Sequence, residues 1–365
     1  MTTTTQATIP SDTDRGLPMD TLQIELPGIG EPDSLRLRRR TLPAPGPGQA
    51  LVRMEATGVS FAEQQMRRGK YYDQPPFPFV PGYDLVGVVE AVGPSPSGDG
   101  AGVDGIRVGQ RVAALTKTGA WAGRVVLDAD DLVPVPDGVD AVDAETVIVN
   151  GLTAWRMLHR SARVSAGGTI VVLGAAGGVG SVLTQLARHA GIRVIGVAGP
   201  RQQVAVAALG AIAIDHRADD VARRVRELAP RGVDAVFDHV GGPGILASWG
   251  MLARGGTLVS YGTAATKDDP GNPRVPVLRL LGRLWTWNLL PNGRSASFFN
   301  LWAGSRRRAR FQRRLREDLE HVLALVAAGA VVPQVAGRFP LADAAGALRF
   351  AEEGGHAGKV VIVGE

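Results

Sequence analysis

The stretch Thr169-Ile-Val-Val-Leu-Gly-Ala-Ala-Gly-Gly-Val-Gly-Ser181 constrains this chain most, because a β-branched run feeds directly into a glycine turn and then a helix-length segment. Small residues at such a turn let backbone N–H groups approach a pyrophosphate, whose charge the positive helix N-terminus then holds. Gly177 and Gly180 fill the last two places of a G-x-G-x-x-G pattern, and Ala175 stands in the first. Glycine makes up 48 of 365 residues, so the pattern alone carries little weight. Context carries more: Ile192-Arg-Val-Ile-Gly-Val197 supplies a second strand one helix length later, completing the βαβ unit of a dinucleotide site. The alternative is an ordinary strand–turn–helix.

The choice of dinucleotide is made at the end of that second strand. An Asp or Glu about 20 residues past the glycines ordinarily holds the ribose 2′-OH of NAD. No acidic residue occurs from Ala175 to Ile214, and Arg201 sits just past the strand in Ala198-Gly-Pro-Arg-Gln-Gln203. A guanidinium there forks onto a 2′-phosphate that a carboxylate would repel, so NADPH is the expected cofactor. The alternative for Arg201 is a solvated surface arginine.

The 365 residues exceed what one core usually holds, so two domains are expected. From about residue 21 to 148, short strands alternate with Gly/Pro turns, as in Ala50-Leu-Val-Arg-Met-Glu55, Leu85-Val-Gly-Val-Val-Glu-Ala-Val92 and Arg124-Val-Val-Leu127, an all-β texture. Pro94-Ser-Pro-Ser-Gly-Asp-Gly-Ala-Gly102 reads as a loop. After Ala144 strand and helix alternate through Ile192–Val197, Asp234–Asp238 and Thr257–Tyr261, which argues for a parallel sheet with helices on both faces. Val331 to Gly364 returns to strand character and ends in Lys359-Val-Val-Ile-Val363. Residues 1–20, polar and Thr-rich, read as a mobile tail.

Cysteine is absent, which excludes disulfides, thiolate zinc sites, iron–sulfur clusters and a cysteine nucleophile. No secretory h-region or bilayer-length apolar run is found, since arginines interrupt Val277 to Leu290, and a cytoplasmic location is expected. The net charge of +5 is modest for this length. One block, Arg306-Arg-Arg-Ala-Arg-Phe-Gln-Arg-Arg-Leu-Arg316, is densely basic and runs into a helical apolar pattern. It reads as a solvated helix face, or as a seat for an anionic partner or acidic substrate tail. With no stacking aromatic beyond Phe311, nucleic acid is not the expected partner.

The order of these pieces resembles the medium-chain dehydrogenase/reductase superfamily, in which a GroES-like β domain precedes and follows an inserted Rossmann domain. The resemblance rests on Gly58-Val-Ser-Phe-Ala-Glu63, Pro78-Phe-Val-Pro-Gly-Tyr-Asp84, Gly87–Gly93, Val108–Val112, Gly151-Leu-Thr-Ala154, Ala175–Gly180 and Val236-Phe-Asp-His-Val-Gly241. It implies an α/β fold: a GroES-like catalytic domain over 21–148, a doubly wound Rossmann domain over 149–300, and over 301–365 a C-terminal helix with a return to the catalytic domain. Within the superfamily the chain looks like the zinc-independent quinone oxidoreductase branch, which includes enone reductases and relatives of a synaptic-vesicle membrane protein. Zinc alcohol dehydrogenases carry Cys-His where this chain has Ser60-Phe61, and Gly-His-Glu where it has Gly82-Tyr83-Asp84; both first ligands are gone. No metal is therefore expected, and hydrogen bonds must polarise the substrate oxygen.

The resemblance places Ser60 and Glu63 on the cleft side, where quinone reductases usually have Asn and Asp. It matches Tyr71 to a pocket tyrosine, either a donor to a carbonyl or enolate oxygen or a packing wall. His239 follows a strand whose C-terminus faces the ligand crevice, and is either a proton-transfer group or a structural histidine. Ser60, Tyr71 and His239 are the candidate catalytic residues. For the cofactor, the resemblance implies Thr153 near the carboxamide, Gly177, Gly178 and Val179 at the pyrophosphate, and Val240, Tyr261 and Gly262 beside the nicotinamide. At the 2′-phosphate, where many relatives present Lys and Tyr, the chain has Gln202 and His216, leaving Arg201 as the replacement.

Trp285-Thr-Trp287 and Phe298-Phe-Asn300 fall beyond the last sheet strand that the pattern identifies, and read as a dimer interface or core, or as an apolar substrate pocket. The expected activity is NADPH-dependent reduction of a quinone or α,β-unsaturated carbonyl by a homodimer. The alternatives are a non-zinc carbonyl reductase, and a non-catalytic dinucleotide-binding protein with an RNA, lipid or protein partner.

Overall fold

The β-branched run at 169–173 forms a strand whose residues Ile170, Val171 and Val172 are all fully buried, as in a parallel strand covered on both faces. It lies inside a six-stranded sheet in a computed structural model that describes residues 19–94, 105–266, 272 and 274–364. In spatial order the strands are Ile212–Asp215, Arg193–Ala198, Thr169–Leu173, Val233–Asp238, Leu252–Ser260 and Ser295–Phe298, each parallel to its neighbour. The chain order reverses between Arg193–Ala198 and Val233–Asp238, on either side of Thr169–Leu173. A ligand crevice opens at such a reversal, beyond the carboxyl ends of the strands.

The second sheet has seven strands, in the order Val335–Pro340, Lys359–Val363, Gln49–Val59, Asp84–Val92, Arg111–Leu115 and Leu132–Pro134, with Arg124–Asp128 also paired to Gln49–Val59. The C-terminal strand thus pairs antiparallel with Gln49–Val59, about 300 residues earlier, so segments on either side of the parallel sheet in the sequence build one sheet. A backbone strap ties the two sheets together: Gly358 N–H donates to Ala176 O at 2.9 Å and Gln202 Nε2 to His356 O at 2.6 Å. Helix Ile148–Trp155 lies against helix Gly178–His189, and both contribute to one core with residues of the second sheet such as Ala56, Val86 and Val361.

Several expectations shift. A strand over Met19–Glu25, paired to Arg36–Leu42, begins inside the stretch read as a tail; residues 1–18 lie outside the described ones. The loop read at Pro94–Gly102 falls, after Pro94, outside them too. Phe298 ends the sixth strand rather than lying past the sheet, and Trp287 stacks on Trp249 with centroids 4.8 Å apart while Trp285 is 65% exposed. The arginine block splits. Arg308, Gln312 and Arg316, spaced by one turn on helix Arg308–Ala327, bind Asp128, Asp131 and the Asp130 carbonyl, whereas Arg306, Arg307, Arg310, Arg313 and Arg314 are exposed. Among the described residues no helix is long and apolar enough to cross a membrane.

Candidate active site

A cleft of about 810 Å³ opens at the sheet's reversal point and is walled by both lobes. Its floor is the glycine turn. Gly174 takes a left-handed φ of +70°, and a Cβ there would lie 2.4 Å from His239 Cε1, so this position, one before the pattern's first place, demands glycine. Gly177 caps helix Gly178–His189 with no side-chain cap, leaving first-turn amides for a ligand at the lip of the cleft. Gly180 packs the helix on the turn, where a Cβ would meet Gly174 O at 2.2 Å. A Cβ on Gly178 would strike the Asn150 amide at 2.5 Å. Asn150 and Thr153 share one face of helix Ile148–Trp155, and both line the cleft.

At one end of the cleft Gly199, Gln202 and His216 form the wall. Gln202 is held in place, accepting from Gly199 N–H at 3.3 Å and donating to His356 O. Arg201, on the same turn, is exposed and does not line the cleft.

Beyond strand Val233–Asp238, the buried Asp238 carboxylate accepts the amides of Val240 and Gly241 at 2.8 Å each and the Ser248 hydroxyl at 2.7 Å. This fixes the His239–Gly241 corner against Tyr261 and Gly262. His239 Nδ1 lies 3.0 Å from Leu173 O, and burial pushes its pKa down. A carbonyl only accepts, so neutral His239 carries its proton on Nδ1 and keeps Nε2 as an acceptor.

The opposite wall is aromatic. Tyr71 and Tyr83 hydroxyls lie 2.7 Å apart, Trp302 Nε1–H donates to the Tyr83 oxygen at 2.6 Å, and Tyr72 packs on Tyr71 with centroids 4.8 Å apart. Burial pushes the Tyr71 and Tyr83 pKa values far up, so both phenols keep their protons at neutral pH. Sequence reasoning noted Tyr83 only as a lost zinc ligand and missed Trp302 and Asn150; no motif marks either.

Ser60 lines the cleft, yet its hydroxyl is engaged: it accepts from Ala62 N–H at 3.1 Å as the cap of helix Phe61–Arg67 and donates to Glu63 Oε2. Asp84 is bound by Lys359 Nζ at 2.7 Å, and Glu145 Oε1 sits 2.5 Å from the same nitrogen, all three side chains buried. Burial drives the Glu145 carboxyl well up despite Lys359, since one ammonium cannot hold two buried carboxylates charged. The positions that would supply zinc ligands thus hold a capping serine, a phenol within a hydrogen-bonded row and a lysine-bound carboxylate. This donor set does not fit zinc.

A two-lobed protein with a glycine-turn crevice between a Rossmann sheet and a GroES-like sheet has the build of an alcohol dehydrogenase-type oxidoreductase. Residues 46–137 match the alcohol dehydrogenase GroES-like domain and residues 209–362 match a family described as zinc-binding dehydrogenase. The human synaptic vesicle membrane protein VAT-1 homolog is 30% identical over 357 residues, covering 93% of this chain and 85% of that one. A mycobacterial protein solved with NADPH is 32% identical with TM-score 0.79, covering 94% and 99% of the two chains. Escherichia coli quinone oxidoreductase, also solved with NADPH, is 25% identical with TM-score 0.80 at the same coverage. The chain belongs to the medium-chain dehydrogenase/reductase superfamily, in its quinone oxidoreductase-like branch.

Proposed function

We propose that this chain is an NADPH-dependent reductase of a quinone or an α,β-unsaturated carbonyl compound. The observation that carries the reading is a single cleft joining the uncapped glycine turn to an apolar wall with a protonated phenol. When bound, NADPH supplies a hydride. The chain's residues do the rest. Gly177, Gly178 and Val179 seat the pyrophosphate on the first turn of helix Gly178–His189. Gln202 and His216 border the adenosine 2′-phosphate, and Arg201, exposed on the turn that carries Gln202, adds positive charge near that end of the cleft. Thr153 faces the carboxamide, and the His239–Gly241 corner with Tyr261 and Gly262 forms the back of the nicotinamide pocket.

Tyr71 is the proposed donor to the substrate oxygen. An indole N–H can only donate, so the Tyr83 oxygen accepts from Trp302; either phenol of the Tyr71–Tyr83 pair can donate to the other, and in the arrangement where Tyr83 donates, the Tyr71 proton is left for the cleft, where oxyanion charge develops. His239, neutral and presenting an acceptor, orients and packs. The test is NADPH oxidation over a panel of quinones, enones and ketones: turnover of the first two classes supports the reading, activity confined to ketones assigns a carbonyl reductase, and no turnover of any refutes it.

A further inference from the structure

Three histidines line the cleft among the described residues: His216, His239 and His356. His239 is committed to Leu173 O behind the nicotinamide pocket. The other two stand at the adenosine end, beside Gln202. Gln202 Nε2 donates to His356 O at 2.6 Å, and a Cβ on Gly199 would lie 3.6 Å from Gln202 Oε1 and 3.7 Å from His216 Nε2. The Gln202 amide and the His216 ring therefore face one small space over Gly199. His216 follows strand Ile212–Asp215 and is exposed. His356 leads from helix Ala344–Glu353 into the last strand, its half-buried ring stacked on Phe350 with centroids 4.6 Å apart.

Among the described residues no Asp, Glu or Arg lines the cleft, and its two lysines are placed elsewhere. Lys359 is buried against Asp84 and Glu145, and Lys70 precedes Tyr71 on the aromatic wall. A sugar phosphate carries nearly two negative charges above about pH 6. What faces it from this wall is a pair of imidazoles, cationic only when protonated. Gln202 accepts from Gly199 N–H and donates to His356 O, so it fixes the wall and brings no charge. The charged neighbours are Asp215, Arg217, Asp219 and Asp220 around His216, Glu353 before His356, and Arg201 on the Gln202 turn. Asp215 Oδ1 accepts the Arg217 amide at 2.9 Å and Asp220 Oδ1 the Arg223 amide at 3.0 Å. Burial pushes the His356 pKa down, with Glu353 and the Gly354 carbonyl opposing, and an arriving phosphate turns that balance toward the imidazolium.

We propose that His216 and His356 together seat the 2′-phosphate, so that the preference for the phosphorylated cofactor over its unphosphorylated counterpart is tuned by pH. This rests on the NADPH reading above. As pH falls through the imidazole range the two rings take up protons and hold the phosphate more tightly, while a cofactor without that phosphate gains nothing. Below about pH 6 the phosphate itself gains a proton and the preference declines again.

The test is isothermal titration calorimetry of the full chain with NADP+ and with NAD+, in buffers of different ionisation enthalpy. The ratio of the two Kd values cancels everything the cofactors share. It is expected to favour NADP+ about tenfold more at pH 6.5 than at pH 8.5, with protons taken up on binding NADP+ and not NAD+. In His216→Gln and in His356→Gln that rise should shrink to about threefold or less, and in the double variant it should vanish, with NAD+ affinity unchanged as the check that the site is intact. A ratio that does not change with pH, or a rise that persists in the double variant, overturns the histidine pair and leaves the NADPH reading standing. No preference for NADP+ at either pH overturns both.

Discussion

Gly177 and Gly180 stand three residues apart in one turn, and their environments predict opposite consequences for the same methyl group. At Gly180 a Cβ would sit 2.2 Å from Gly174 O and 2.8 Å from Ala175 Cα, both backbone atoms, so helix and strand must separate to admit it. Overpacking of this kind costs about 1–3 kcal/mol, and the better helix propensity of alanine returns at most about 1 kcal/mol. A net loss of about 1–2 kcal/mol follows, at roughly 2–4 °C of Tm per kcal/mol for a domain of this size. At Gly177 the backbone is extended (φ −70°, ψ 172°) and the nearest atom to a Cβ, Gly174 O, is 3.4 Å away, an ordinary contact. Gly177→Ala should therefore change the stability of the apo protein little, because its stiffer unfolded chain, worth up to about 1 kcal/mol, is offset by the poorer capping of helix Gly178–His189 by alanine. Its methyl would instead occupy the lip of the cleft and raise the Kd for NADPH about tenfold or more, equivalent to about 1.4 kcal/mol. Urea denaturation without cofactor and NADPH titration of both variants separate the effects. Equal destabilisation by the two substitutions, or wild-type NADPH affinity in Gly177→Ala, would refute this placement of the turn.

Tyr71→Phe should lower turnover about a hundredfold with NADPH affinity unchanged; rates within about threefold of wild type in stopped-flow assays would make solvent the proton source. Asp318→Asn should cost about 3–5 kcal/mol in urea denaturation, because the buried Arg156, bound by Asp318 Oδ2 at 2.7 Å, loses its counter-charge. Burial holds the His239 pKa below its ordinary 6.5, so the unfolded chain binds a proton that the native site refuses. That contribution is complete above pH 6.5 and lost as pH falls below it, and the urea midpoint of His239→Gln should fall less than wild type from pH 7 to about pH 5.

What was legible in the sequence followed local rules. The β-branched run and its glycines specify a strand, a turn and a helix start within thirteen residues, and the structure places them as read, with the refinement that Gly174 takes the left-handed conformation. Lys359–Val363 was equally plain, each residue apolar but the first. Ser295–Phe298 was not, because Ser-Ala-Ser-Phe has only one buried residue, Ala296, as suits an edge strand half in solvent. The aromatic wall was hidden for another reason: Tyr71, Tyr83 and Trp302 meet only when a segment more than 200 residues downstream folds back, which no periodicity announces. The arginine block looked uniform, yet tertiary packing divided it, since one turn of spacing carries Arg308 and Arg316 to the Asp128–Asp131 corner.

Titration of the chelated protein with NADPH and NADH, followed by quinone, decides whether this is a metal-independent NADPH enzyme. One NADPH per chain is expected, bound about tenfold or more tighter than NADH, a preference reduced in Arg201→Ala or His216→Ala, with NADPH oxidation on adding quinone and no metal restored. NADH bound as tightly as NADPH, or activity that returns only with zinc, would contradict it.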